Sequence, residues 1–200
     1  MKDFILLFQA PSELYKKGRK NVSIMIPLII YFILGILSVA ALYFGVESGP
    51  TVDILRATPG ALPITMASGI LGMVLGLVIA VQILYYAMVL CCKMMDDVEF
   101  EKKQVKKLIY LAEILPAIPI TLLQIIFMFV TKIEIPTMLG SICSIISSLL
   151  TCLMLYYTMK VSMGTKKAHL YYPAFVFAVM VLIQVISLIT ANNTLANLSV

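Results

Sequence analysis

Tryptophan is absent from this 200-residue chain, histidine occurs once, and only 12% of residues are charged. Each shortage excludes something. A lone imidazole, His169, has no second ligand for a metal and no partners for a catalytic triad; it reads as an interfacial polar residue beside Tyr171 and Tyr172. The four cysteines show neither CxxC nor Cys/His spacing, which removes a structural zinc and a thioredoxin-like site. Cys91 and Cys92 read instead as small buried apolar residues. HExxH, GxSxG, a Walker A glycine loop and GxGxxG are all missing. With no nucleophile, base or metal set in view, the expectation is a protein that is not an enzyme and takes no cofactor or metal. An interfacial activity built from Asp96, Asp97 and His169 is the enzymatic option left over.

The scarcity of charge has a counterpart in apolar excess. Hydrophobic residues make up 62% of the chain and mean hydropathy is +1.04, against about 45–50% apolar and about 25% charged in ordinary globular domains. Hydrocarbon, not water, is the solvent such a chain suits. A span needs about 20 mostly apolar residues to cross roughly 30 Å, and five stretches qualify: 22–45, 63–92, 108–131, 137–159 and 168–191. The predicted fold class is an all-α polytopic bundle, residues 1–200 forming a single membrane domain. The breaks have physical causes: "FGVESGPTVDILRATPGALP" (44–63) clusters Gly, Pro and charge, and "KMMDDVEFEKKQVKK" (93–107) holds four of the ten acidic and five of the fifteen basic residues.

Positive charge is distributed unevenly between the two sides. If the N-terminus is cytoplasmic, every Lys and Arg except Arg56 and Lys132 falls inside, 13 of 15, which the positive-inside rule favours. The expected protein is a multi-pass membrane protein with its C-terminus outside. In residues 1–21 the apolar core, Phe4 to Phe8, is shorter than the roughly 7–15 residues a secretory signal needs, and the segment suits an amphipathic interfacial helix. Lys16, Lys17, Arg19 and Lys20, with Lys102, Lys103, Lys106 and Lys107, are expected to meet anionic lipid, at about 1 kcal/mol each. The net charge of +5 is thereby assigned to membrane lipids, not nucleic acid, whose aromatic and basic modules are lacking. The acidic run "DDVEFE" (96–101) is flanked by five lysines and lacks EF-hand spacing, so it reads as a solvated loop.

Three faces within the spans stand out. Gly69, Gly72, Gly76 and Ala80 recur every three or four residues, a stripe on which another helix can approach closely; another span of the same chain is the favoured neighbour, a second copy the alternative. In the fourth span Gly140, Ser144, Ser147, Ser148 and Thr151 share a face suited to packing. The third span carries Glu113 about 9 Å beyond Lys107, at about 1.5 Å per residue. Ionised toward lipid, that carboxylate costs roughly 2–3 kcal/mol or more. It therefore faces a polar interior with Gln124, Gln82 and Gln184, or snorkels out to pair with a lysine. Pro116 and Pro119 remove backbone donors and free the carbonyls of Ala112 and Leu115, predicting a broken helix.

With these residues in view, the chain resembles the Yip (Ypt/Rab-interacting protein) family in its compact prokaryotic form. The likeness rests on "LLFQAPSELYKK" (6–17), the five-span layout with a cytoplasmic start, and "FEKKQVKKLIYLAEILPAIPITLL" (100–123). It implies that Ala112 to Pro116 is a family feature, a broken approach to the third helix, and leaves Glu113 unexplained. The Asp-Leu-Tyr-Gly-Pro signature and long soluble N-terminal region of eukaryotic members have no counterpart, so Rab GTPase binding does not carry over. What the resemblance does imply is a non-enzymatic membrane protein tied to trafficking or membrane organisation, and in prokaryotes to envelope roles that include assisting export. The expected role is a scaffold or accessory subunit that binds other membrane proteins, an exporter among them. A small transporter or channel using Glu113, working as a homo-oligomer, is the rival.

Overall fold

In the computed structural model, residues 24–95 and 102–198 are described. The expected interfacial helix, with Lys16, Lys17, Arg19 and Lys20, lies outside them, as does the acidic run from Asp96 to Glu101. Helix α1 (Met25–Ala40) widens into a π turn at Ala41–Gly45. A short helix α2 (Pro50–Ala57) follows, then α3 (Ala61–Met95), α4 (Lys102–Thr131), α5 (Thr137–Tyr157, ending in a π turn at Thr158–Ser162) and α6 (Ala168–Leu198). There is no strand among the described residues, only a parallel bridge pairing Ser48 with Ile133. Among the described residues, five helices are long and apolar enough to cross a membrane: Met25–Gly45, Ala61–Met95, Val105–Thr131, Thr137–Val161 and Ala168–Thr190.

Helix α4 holds the bundle together, packing on α1, α3 and α5, while α6 lies along α5 and touches α3. One core joins α3 to α6 through Val81, Met88, Ile109, Ala112, Leu155 and Tyr172. A second core, of Leu34, Ala41, Val46, Val52, Ile125 and Met128, ties α1 and α2 to the far end of α4. Ile118 packs against both. Outward-facing Leu71, Leu75, Ile79, Ile83 and Leu90 of α3 are exposed, as apolar residues facing acyl chains must be.

The connector expected as a plain loop contains α2, and that helix has specific supports. Pro50 occupies its first turn, where a missing N–H is harmless. Glu134, 82 residues away in sequence, accepts the Val52 N–H at 2.7 Å and so caps the helix start. Gly49 is needed because a Cβ there would overlap the Glu134 carboxyl. Arg56 then reaches back to the end of α1, donating to the carbonyls of Tyr43, Val46 (2.6 Å) and Glu47 (2.9 Å). Carbonyls at a helix C-terminus lack intrahelical donors, and a guanidinium supplies both hydrogen bonds and favourable charge. The Glu47 N–H donates to the Lys132 carbonyl at 2.8 Å, closing this end.

Candidate functional site

Helix α4 runs unbroken from Lys102 to Thr131 through Pro116 and Pro119, which corrects the expected broken helix. A neighbour repairs the damage. Pro116 has no N–H for the carbonyl four residues back, that of Ala112, and Thr151 Oγ1 of α5 donates to that oxygen at 3.1 Å. Thr151 is the fourth-span hydroxyl that crosses to another helix, whereas Ser141 and Ser148 bond their own carbonyls four residues back.

Next to this repaired carbonyl stands Glu113. Its Oε1 is sealed from solvent and has no hydrogen-bond partner among the described residues. Ala112 and Ile114, on either side in sequence, are fully buried. Tyr31 of α1, Cys152 of α5 and Tyr172 of α6 lie within electrostatic reach of the carboxylate. Two hydroxyls of this layer are already committed to backbone: Thr151 to Ala112, and Tyr172, which donates to the Leu84 carbonyl at 2.7 Å. An orphaned buried carboxyl oxygen costs about 1–3 kcal/mol or more. Chemically, such a group accepts a proton or another cation, or a donor brought by a partner.

The lysine pairing weighed for Glu113 is not formed among the described residues. Lys106 donates instead to Gln82 Oε1 at 2.6 Å, with its ammonium 4.9 Å from the Tyr85 ring centroid. That bond latches α4 to α3, and it turns one of the expected lipid-facing lysines inward. Lys102 and Lys103 are exposed and Lys107 is half-buried.

The four polar residues expected to converge do not form one cluster. Gln82 belongs to the Lys106 latch. Gln124 lines a crevice of about 310 Å³ with Ser38, Thr51, Met128 and Glu134, between α1, α2 and α4. Gln184 is half-buried in α6, and among the described residues no hydrogen bond joins it to the other three. Helix period gave the inward direction of each amide but not the neighbour it would meet.

The glycine stripe likewise differs from expectation. A Cβ added at Gly69, Gly72 or Gly76 would meet nothing within 4 Å, and Gly72 and Gly76 are exposed. The favoured neighbour, another span of this chain, is therefore not on that face among the described residues. Close packing falls on glycines that carry no repeat. A Cβ at Gly35 would overlap the Met73 thioether, and one at Gly45 would press the Phe129 ring at 3.1 Å. His169, read as interfacial, is buried against Tyr156. Among the described residues, no three His, Cys, Asp or Glu side chains come together as metal ligands would.

A match to the Yip1 domain spans residues 5–187, nearly the whole chain and all of the bundle just described but the end of α6. The chain belongs to the Yip1 domain family. It is an integral membrane protein of that family, with five helices among the described residues long and apolar enough to cross a membrane. No curated protein and no solved structure matches it.

Proposed function

We propose that this Yip1-domain protein is a non-enzymatic scaffold or accessory subunit of a prokaryotic cell membrane, holding other membrane proteins in envelope organisation, trafficking or export. One observation supports the reading: α3 presents Gly69, Gly72 and Gly76 on a face that no other described residue of this chain covers closely. Without a hydrophobic driving force between helices, association in lipid depends on close backbone packing, and small residues permit it. The partner is a helix of another membrane protein, seated on this stripe, while Lys102 and Lys103 meet anionic headgroups at the bundle's basic end. The test is co-purification in mild detergent. Gly72→Leu should leave the isolated chain's melting unchanged, because a Cβ at this exposed position meets nothing within 4 Å among the described residues, and should deplete the co-purifying protein about tenfold or more, as expected for roughly 1.4 kcal/mol of lost packing. An unaltered partner yield would reject the stripe as the contact.

A second reading has its own support in Glu113, whose Oε1 has no donor among the described residues. In a small transporter or channel this carboxylate would carry the proton or cation that couples movement across the bilayer. Proton-dependent flux in liposomes, lost in Glu113→Gln, would establish that reading over the scaffold.

A further inference from the structure

The turn between α5 and α6 sets one imidazole in a defined state. Gly164, at φ 66°, reverses the chain, and Thr165 donates its hydroxyl hydrogen to the Met159 carbonyl at 3.0 Å. With that hydrogen used, the 3.3 Å contact between Thr165 Oγ1 and His169 Nδ1 must take its hydrogen from the ring. In the neutral imidazole Nδ1 therefore donates, and Nε2 is left as a bare acceptor. The ring is 8% exposed and is held edge-on to Tyr156, 5.3 Å between centroids.

Below it lies a crevice of about 220 Å³ between α5 and α6, with Tyr156 and His169 at one end and Leu149, Leu153, Ala174 and Phe177 along its walls. From His169 to Phe177 is eight residues, about 12 Å along α6 at about 1.5 Å per residue. That is close to the depth of one leaflet of a hydrocarbon core of roughly 30 Å. Positive charge stands at the mouth. The exposed Lys160 holds its ammonium 2.9 Å from the Tyr156 hydroxyl, and exposed Lys166 precedes His169 by three residues.

We propose that this crevice binds one anionic glycerophospholipid whose headgroup carries a free hydroxyl. An acyl chain lies along the leucine and phenylalanine walls, the phosphate sits between Lys160 and Lys166, and a headgroup hydroxyl donates to His169 Nε2. The three demands select among lipids. Phosphatidylcholine has no net charge and no donor, phosphatidic acid lacks the headgroup hydroxyl, and phosphatidylglycerol meets all three. A free phosphate would leave the apolar walls uncovered.

Native mass spectrometry of the detergent-purified full chain, offered equal phosphatidylglycerol, phosphatidic acid and phosphatidylcholine, tests this. The native chain should retain one phosphatidylglycerol in preference to both others. Lys160→Gln and Lys166→Gln should each lower its preference over phosphatidylcholine about fivefold, the value of roughly 1 kcal/mol per basic residue. His169→Phe, which keeps a ring against Tyr156, should abolish the preference over phosphatidic acid, and His169→Gln, with an amide oxygen as acceptor, should restore part of it. Ala174→Leu, filling an exposed wall, should remove retained lipid altogether. Equal retention of phosphatidylglycerol and phosphatidylcholine by the native chain overturns the proposal, as does undiminished retention in Ala174→Leu. So does dissociation of a dimer by Ala174→Leu, which would seat a second copy in the crevice.

Discussion

Replacing Glu113 with a residue of similar length and no polar atoms separates what this side chain does for folding from what it does for function. Its Oε1 makes no hydrogen bond among the described residues, and Thr151 and Tyr172 spend their hydroxyls on carbonyls. Removing an unsatisfied buried polar group recovers its desolvation cost, so Glu113→Met should raise unfolding stability by about 1–3 kcal/mol, read as a higher melting temperature in detergent. Glu113→Gln keeps the shape and an unpaired amide and should melt near the parent. If Glu113 serves transport or partner binding, as the second reading proposes, its stability cost is the usual trade between stability and function. The stabilised Glu113→Met variant should accordingly lose flux or partner binding. If it is instead less stable than the parent, the carboxyl has a folding partner and its functional reading fails.

At the scale of elements, the debt that Pro116 creates in α4 is met from α5. Thr151→Val leaves the Ala112 carbonyl buried without a donor and should cost about 1–3 kcal/mol. In a Pro116→Ala background the helix regains its own N–H at position 116, and the same substitution should then cost well under about 1 kcal/mol. This double-mutant cycle, measured by reversible unfolding in detergent, requires a coupling between the two positions. Additive costs would mean that the 3.1 Å contact does not serve the proline. The freed carbonyl was legible in the sequence, because the missing N–H is a property of proline itself. Its donor was not, because the hydroxyl face of the fourth span shows a direction and not which helix lies opposite. The five apolar runs were legible for a related reason: hydrocarbon thickness imposes a minimum length on each. Helix α2 was obscured by the Gly, Pro and charge around it, although Pro50 at its start, Asp53 in its first turn and Arg56 in its last are helix signals. Repeat spacing drew attention to Gly69, Gly72 and Gly76, while unrepeated Gly35, Gly45 and Gly49 take the close contacts. Spacing reports a face; only packing reports its occupant.

For the whole molecule, the sidedness of the bundle follows from where its cations stand. Lys93, Lys102, Lys103, Lys106, Lys107, Lys160, Lys166 and Lys167 all lie at or near the end where α3 finishes, α4 and α6 begin and α5 closes, and Arg56 and Lys132 lie at the other. Even that minority is weaker than its count. Arg56 is bound to three carbonyls at the end of α1, so its charge serves helix capping as well as any membrane surface. Under the positive-inside rule the lysine-rich end is expected to face the cytoplasm. Green fluorescent protein fused after residue 95 or 164 should therefore fluoresce, and alkaline phosphatase fused after residue 58 or 134 should be active. Arg56→Gln should lower the melting temperature without changing any of these reporters, because a single charge out of fifteen does not set orientation, whereas three carbonyls left without a donor weaken the fold. Activity of both reporter types at a single junction, or the same reporter at 58 and 95, would show that charge does not orient this bundle. The lipid contacts assigned to its basic end, and the headgroup position assigned to His169, would then have to be placed on the other side.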